Sequence, residues 1–146
     1  MKKVNKAVIF DLLSVVLCIY FAYMLSHELL NFKGFSGQIM NQPIATAIKT
    51  KLVYIVVCLQ ALILIGLLID MLRLYTYLTA IVLFSLLSLY AALVLAHFFE
   101  RVPCSCIMGF NSLSWTKNLI IQIILLAFSI ALFWRELKYK QGLRKT

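Results

Sequence analysis

Charged side chains are scarce in this 146-residue chain, where they account for 13% of the residues against 64% for hydrophobic ones. A soluble domain is about a quarter charged and about half apolar. The composition therefore excludes a soluble enzyme of ordinary type, and it also excludes a disordered tail. Acidic residues are rarer still, five against 14 Lys and Arg. The resulting charge of +9 needs no nucleic-acid partner, because most of it follows the ends of apolar blocks and forms no separate basic module.

Four long apolar blocks fill most of the chain. They predict an all-α membrane protein, a four-transmembrane-helix bundle, in which each helix rises about 1.5 Å per residue and nearly crosses a hydrocarbon core about 30 Å thick. The expected helices cover about residues 7–26, 52–70, 74–96 and 118–136. The outer loops, 27–51 and 97–117, are short, and the first has room for a helix lying in the interface. We expect residues 1–146 to form a single domain, because no linker, repeat or low-complexity run divides them.

The distribution of Lys and Arg predicts the orientation of the bundle. Nine of them lie on the side of the two termini and five on the side of the two outer loops. Because Lys and Arg are retained on the cytoplasmic side, we expect an N-in/C-in protein of the bacterial inner membrane with both loops on the periplasmic or extracellular side. The basic start resembles a secretory signal, but no small-residue cleavage pattern follows Ser26, so a retained first helix is expected.

Two cysteines one residue apart, Cys104 and Cys106, lie in the second outer loop. Disulfides form and persist on the oxidising side of a bacterial membrane. A bond across one intervening residue closes a very small ring, and the strain makes such a bond easier to reduce. It also adds little stability, because the closed loop is so short. The spacing favours a redox pair that cycles, while a static disulfide or two unreactive thiols are the alternatives.

Residues around the pair have properties that favour the reactive thiolate or orient the loop. A cation and a capped helix N-terminus stabilise a thiolate, a proline stiffens a turn, and a tryptophan suits the membrane interface. These supporting residues are Arg101, Pro103, Trp115, Lys117, and Ser112 or Ser114.

A soft-metal site is the second interpretation of this loop. Its four potential ligands are His97, Cys104, Cys106 and Met108. Thiolate and thioether donors select Cu(I) and similar ions. The second cysteine cluster that would make a zinc site convincing is missing from the sequence, and His97 alone is better explained as an interfacial polar residue than as a ligand.

Polar residues also occur inside the predicted helices. Gln60 and Gln122 must find hydrogen-bond partners, most simply across helix interfaces. Cys18 and Cys58 are expected to behave as small hydrophobic residues, and an electron relay through them would require the two to approach within disulfide distance. Asp11 lies close enough to the membrane surface to reach Lys6 or head-group water. Two further charged residues, Asp70 and Arg73, are placed to pair with each other.

The cysteine loop also carries a family resemblance. Pro103-Cys104-Ser105-Cys106, followed by Ser114-Trp115 and an apolar final helix, resembles the MauE/DoxX-like redox-associated membrane proteins, named after the MauE protein of methylamine utilisation. Three stretches elsewhere in the chain are compatible with the same family: Lys33-Gly34-Phe35, Gln42-Pro43 and Arg73-Leu74-Tyr75. Two positions depart from the pattern. Gln60 stands where similar proteins often carry an acidic residue, and Ile107 stands where they carry a glycine.

The resemblance implies a four-helix bundle whose outward cysteine pair assists thiol–disulfide exchange in exported proteins, together with a thioredoxin-like partner. The protein would then be a thiol–disulfide oxidoreductase or an accessory of one, working through Cys104 and Cys106. If it oxidises its partners, a quinone held between the helices is the natural electron acceptor, although the sequence specifies no residue for it. A non-catalytic membrane subunit and a copper-like soft-metal carrier remain as alternatives.

Overall fold

The computed structural model describes residues 2–42, 45–98 and 114–143, and these form helices joined by short turns, without a strand among them. The helices are α1 (Lys2–Leu30), α2 (Phe32–Met40), α3 (Thr46–Leu68), α4 (Arg73–Leu95) and α5 (Trp115–Leu143). The all-α architecture expected from the sequence is confirmed.

Four of these helices are long and apolar enough to cross a membrane. The candidate spans are Val8–Leu30, Ala47–Leu68, Arg73–Leu95 and Trp115–Gln141. Large apolar side chains cover their outer faces as well as their inner ones, and Leu12, Leu62 and Leu86 are among those exposed. A helix that is apolar on all sides is suited to hydrocarbon, where its own backbone hydrogen bonds satisfy every peptide group inside the span. The chain is a multi-pass membrane protein.

The helices extend beyond the apolar blocks from which they were predicted. α1 continues past residue 26 to Leu30, and α5 begins at Trp115. α2, which is nine residues long, lies in the outer segment 27–51, where the sequence leaves room for a short helix. The apolar pattern stops earlier than the helices because their last turns carry polar side chains. Within this segment Phe35 and Ile39 of α2 pack against Val53 of α3, so the extra helix belongs to the folded bundle.

The long helices form a ring in which α1 packs on α3, α3 on α4, α4 on α5, and α5 on α1. α2 packs mainly on α3 and lies at the end of the bundle where α1 and α4 finish and α3 and α5 begin. This end, which also carries the link between α4 and α5, is called the loop end below. The other end holds the start of α1 and the last turns of α5 and is called the termini end.

Aromatic side chains fill the centre of the bundle. The ring centroids of Phe21 and Phe84 lie 5.7 Å apart, and those of Tyr20 and Phe84 lie 5.9 Å apart. Around them a buried cluster joins the four long helices, and its aliphatic members are Leu17, Ile63, Leu67, Ala80, Leu125 and Leu132. The interlocking rings fix the positions of α1 and α4 relative to each other.

Charged residues form ion pairs at the termini end of the bundle. Arg135 of α5 donates a hydrogen bond to the Asp11 carboxylate at 2.8 Å. The same guanidinium lies 5.2 Å from the centroid of the Phe10 ring. Asp70 and Arg73 form the predicted ion pair at 2.9 Å. The first pair connects the two ends of the chain, since α1 and α5 are the first and last helices.

Candidate functional site

The loop that carries the two cysteines leaves the end of α4 and returns at the start of α5. Residues 99–113 lie outside the described part of the chain, so the predictions for Arg101, Pro103, Cys104, Cys106 and Met108 fall on residues whose structure is not described. The two attachment points are described, and they show how the loop is held.

At the first attachment point, His97 ends α4. Its φ angle is 53°, in the left-handed region, and its backbone N–H donates to the Val94 carbonyl at 3.1 Å. The N–H of Phe98 donates to the Leu93 carbonyl at 3.1 Å. Together these two bonds form a Schellman cap, a motif that satisfies helix carbonyls with a left-handed residue. His97, which the metal interpretation counted as a ligand, has a backbone role here.

At the second attachment point, the carbonyl of Ser114 accepts the first hydrogen bond of α5, from the Asn118 N–H at 3.1 Å. Ser114 therefore occupies the position directly before the helix, where a serine is favoured. The next residue, Trp115, is half-buried and meets the ring of Tyr90 edge-on, with centroids 6.1 Å apart. Lys117 is exposed in the first turn. The start of α5 is thus fixed to α4 and carries a cation.

Tyr90 also connects α4 to the chain after α2. Its hydroxyl donates a hydrogen bond to Oε1 of Gln42, whose side chain is 2% exposed. The Lys49 ammonium of α3 donates to the carbonyl of Met40 at 2.8 Å. We call Gln42, Tyr90 and Trp115 the anchor cluster. It joins the end of α2, the end of α4 and the start of α5, and so holds both ends of the cysteine loop at the same end of the bundle.

A second polar group lies deeper, between α1 and α3. Glu28 is 1% exposed, Gln60 is 7% exposed, and the Gln60 Nε2 donates to the Glu28 Oε1 at 2.9 Å. The expectation that Gln60 would find a partner across a helix interface is confirmed. Among the described residues, neither Oε2 of Glu28 nor Oε1 of Gln60 has a hydrogen-bond partner. Each side chain therefore keeps unused hydrogen-bonding capacity inside the protein.

The sequence reasoning missed Glu28, because it assigned this residue to the outer loop. The signal was present in the helical spacing. Leu17, Phe21, Met24 and Glu28 follow one another at intervals of four, three and four residues, and all four are buried. Extending the buried stripe of α1 by one more turn places Glu28 on the inner face of the helix.

A cleft opens beside Gln60, between α1, α3 and α4. Its volume is about 50 Å³, and its walls include Tyr20, Phe21, Met24, Phe84 and Leu87. The walls are almost entirely apolar or aromatic, and Tyr20 and Gln60 are the lining residues whose side chains carry a polar group.

The two cysteines inside the helices are free thiols. Cys18 packs against the core, whereas Cys58 is exposed on the outer face of α3. They do not form a disulfide with each other. Gln122, the other polar residue expected inside the membrane, is 3% exposed within α5.

Comparison with known families identifies the chain. The family described as "Methylamine utilisation protein MauE" matches residues 6–135, which is most of the sequence. The chain belongs to the MauE family. A search of curated proteins and a search of solved structures give no match.

The MauE match includes the cysteine loop and reaches the middle of α5. Gln60 departs from the family pattern, in which an acidic residue is often found at this position. In this MauE-family chain the third helix carries an amide, and the carboxyl that meets it, Glu28, comes from α1. Within the described ranges no group of three His, Cys, Asp or Glu side chains is close enough to hold a metal ion.

Proposed function

We propose that this MauE-family protein supports thiol–disulfide exchange in exported proteins through Cys104 and Cys106, with a thioredoxin-like or other cysteine-containing exported protein as its partner. The observation that carries the proposal is the attachment of the cysteine loop. Both of its ends are held at the loop end of the bundle, through Tyr90 to Trp115 and through Tyr90 to Gln42. A loop secured in this way presents a thiol pair to a protein partner outside the membrane.

The exchange proceeds through a mixed disulfide. When the protein acts as reductant, one thiolate attacks a sulfur of the partner's disulfide, forming a bond between the two proteins and releasing a partner thiolate. The second cysteine then attacks the mixed disulfide, which forms the Cys104–Cys106 bond and releases the partner fully reduced. Oxidation of a partner is the same sequence in reverse. In either direction two electrons move and the number of disulfides is conserved.

The charge at the start of α5 is consistent with the proposed thiolate chemistry. The N-terminus of a helix carries a partial positive charge, and Lys117 adds a full one in the first turn. Both favour a nearby anion such as a thiolate.

The orientation belongs to the same proposal. The excess of Lys and Arg on the side of the termini supports an inner-membrane protein with both termini in the cytoplasm and the cysteine loop outside. That side is the oxidising one, where a cysteine pair meets exported proteins.

The test is to trap the mixed disulfide. Cys104→Ser and Cys106→Ser are expressed separately in cells that contain the partner, thiols are blocked, and the proteins are run on a non-reducing gel. Replacement of the resolving cysteine should give a larger species that disappears on reduction. Cys58→Ser removes a thiol that is exposed on a membrane helix and is the matched control. It should give no mixed-disulfide species. If neither loop variant traps a partner, the pair is a static disulfide of a non-catalytic subunit.

A further inference from the structure

A charged cleft opens at the termini end of the bundle, at the opposite end from the cysteine loop. Its volume is about 400 Å³, within the range of about 300–1,000 Å³ that is typical of small-molecule sites. Its walls come from α1, from the link between α3 and α4, and from α5. The residues that line it are Asp11, Asp70, Arg73, Arg135, Glu136 and Tyr139. The proposed thiol–disulfide exchange makes no use of this space.

The cleft lies at the level of the lipid headgroups. Asp11 is near the start of the membrane span in α1, Arg73 is the first residue of the span in α4, and Glu136 is near the end of the span in α5. The ends of membrane spans mark the boundary between hydrocarbon and headgroups. Tyr139, which also lines the cleft, is 63% exposed, and tyrosine is enriched at this boundary. A lipid headgroup therefore reaches the cleft directly from the bilayer.

Two arginines give the cleft hydrogen-bond donors for a phosphate. Arg73 contacts the Asp70 carboxylate at 2.9 Å and the Leu67 carbonyl at 3.3 Å, and Arg135 contacts the Asp11 carboxylate at 2.8 Å. A guanidinium has five N–H groups, so both arginines keep donors beyond these contacts. Their side chains are 38% and 35% exposed, so a ligand in the cleft has access to them. Arginine binds phosphate oxygens through paired N–H groups.

Carboxylates give the same cleft acceptors for an ammonium group. Glu136 forms no hydrogen bond or ion pair with another residue of the described ranges. Asp11 and Asp70 are 68% and 86% exposed. With three carboxylates and two guanidinium groups in the lining, a ligand of net negative charge is disfavoured. Among the described residues the carboxylates are not grouped closely enough to hold a metal ion. The lining therefore fits a ligand that carries both a phosphate and an ammonium group.

An apolar stripe on α1 leads from this cleft into the hydrocarbon. Val8, Leu12, Val15 and Ile19 follow one another at intervals of four, three and four residues, and each is more than half exposed. Asp11 is a neighbour of Val8 and Val15 on the helix surface, because residues three and four apart lie side by side. A ligand with its polar group in the cleft has an apolar surface for an acyl chain next to it. This surface favours a lipid over a water-soluble zwitterion.

We propose that the cleft binds the phosphoethanolamine headgroup of a membrane lipid. Arg73 and Arg135 donate hydrogen bonds to its phosphate, Glu136 accepts a hydrogen bond from its ammonium group, and an acyl chain lies along the stripe of α1. The bound headgroup contacts α1, the start of α4 and the end of α5 at once, so it stabilises the termini end of the bundle. The site depends neither on thiol exchange nor on the direction of insertion.

Binding is tested by native mass spectrometry of the full-length protein in detergent. It is titrated with phosphatidylethanolamine, phosphatidylcholine and phosphatidylglycerol that carry identical acyl chains. One phosphatidylethanolamine should bind saturably and about tenfold more tightly than either of the others, the difference expected for one hydrogen bond between charged groups. The choline group has no N–H to donate, and the glycerol group has no cation. Binding that does not saturate, or that is equal for the three lipids, overturns the proposal.

Variants of the lining locate the site. Glu136→Gln keeps both ion pairs of the cleft and should abolish the preference for phosphatidylethanolamine. Arg73→Gln should weaken the binding of this lipid through its phosphate, and Glu136→Gln keeps the test valid if Arg73→Gln fails to fold. Lys138→Gln removes an exposed charge of α5 outside the lining and is the matched control, which should bind like wild type. An unchanged preference in Glu136→Gln, or its loss in Lys138→Gln, contradicts the assignment.

Two further measurements distinguish the lipid from a water-soluble ligand and test its effect on the fold. Glycerophosphoethanolamine, which has the same headgroup without acyl chains, should compete only at much higher concentration than the lipid. Competition at equal concentration would assign the cleft to a soluble zwitterion and overturn the lipid proposal. Phosphatidylethanolamine should raise the melting temperature of the wild type and of Lys138→Gln more than that of Glu136→Gln, because a ligand stabilises the state that binds it. An equal rise in all three proteins would contradict binding at the cleft.

Discussion

Glu28 and Gln60 share a buried hydrogen bond between α1 and α3. A carboxyl group within a membrane span is costly unless it is paired, and here Gln60 supplies the partner at 2.9 Å. Asp11 and Arg135 also form a pair, but their side chains are 68% and 35% exposed. Exposed ion pairs contribute about 0–1 kcal/mol to stability. Loss of the buried hydrogen bond should therefore matter more than loss of the exposed ion pair.

The first prediction concerns this buried pair. Gln60→Leu leaves the carboxyl of Glu28 without its donor and should lower the free energy of unfolding by about 1–3 kcal/mol. The double variant Glu28→Leu/Gln60→Leu should lose less than the sum of the two single variants, because neither polar group is then left alone. Denaturation in detergent measures the free energy of unfolding of each of these proteins. Purely additive losses would show that the two side chains do not stabilise each other.

The second prediction concerns His97. A non-glycine residue in the left-handed region costs about 1–2 kcal/mol, so His97→Gly should keep the helix cap and leave the melting temperature unchanged or higher. His97→Val should lower it, because a β-branched residue tolerates this conformation poorly. The thiol exchange of His97→Gly should match that of wild type. Loss of exchange together with loss of bound copper in His97→Gly would favour the soft-metal carrier instead.

At the scale of the elements, α3 and α4 approach each other closely at Gly66. A Cβ atom placed there would lie 2.2 Å from Oγ1 of Thr76. Thr76 is buried, and its hydroxyl donates to the Leu72 carbonyl at 3.0 Å. Small residues permit this kind of contact between membrane helices, where close van der Waals packing drives association.

The third prediction tests that contact. Gly66→Ala should destabilise the bundle by about 1–3 kcal/mol through overpacking. Adding Thr76→Ala should restore much of the loss, because the nearest remaining side-chain atom is then the Cβ, at 3.3 Å. Gly37→Ala is the control, since that position in α2 has open space around it and alanine favours helix. Melting temperatures in detergent give the comparison, and equal losses for Gly66→Ala and Gly37→Ala would contradict the close approach.

The long apolar helices were predictable because nothing but a membrane span accommodates so many consecutive apolar residues. α2 and the last turn of α1 were harder to predict, because polar residues interrupt their pattern. Glu28 shows the reason: its burial depends on a hydrogen bond to Gln60, 32 residues further along the chain. The partner of Asp11 was likewise unpredictable, because Arg135 lies in the last helix. Local spacing predicts helices, whereas pairings between distant residues follow from how the helices pack.

For the whole molecule, charge determines the expected direction of insertion. The termini end contains the basic start and the basic tail of the chain, and the loop end contains the two outer loops. From the positive-inside rule we expect the termini end to lie in the cytoplasm. In the proposed orientation the cysteine pair faces the compartment where exported proteins acquire their disulfides.

The fourth prediction is that a membrane-impermeant maleimide, applied to intact cells after reduction, labels Cys104 or Cys106. Cys58 is exposed on the surface of the bundle, yet it lies within the span Ala47–Leu68 and should stay unlabelled behind lipid. A variant that keeps only Cys58 is the matched control. Labelling of the loop pair only after the inner membrane is opened would reverse the orientation and remove the argument from an oxidising compartment.

The most direct test of the account is the redox state of Cys104 and Cys106 in living cells. Cells receive a brief pulse of reductant, and samples are taken before and after it. Acid stops thiol–disulfide exchange in each sample, and free thiols are then tagged with a maleimide that shifts the mass of the protein. A pair that exchanges electrons should be a mixture of reduced, oxidised and partner-bound forms, and it should return to that mixture once the reductant is removed. A pair that is wholly oxidised before the pulse, and that resists mild reductant, would be a structural disulfide and would contradict the proposed exchange.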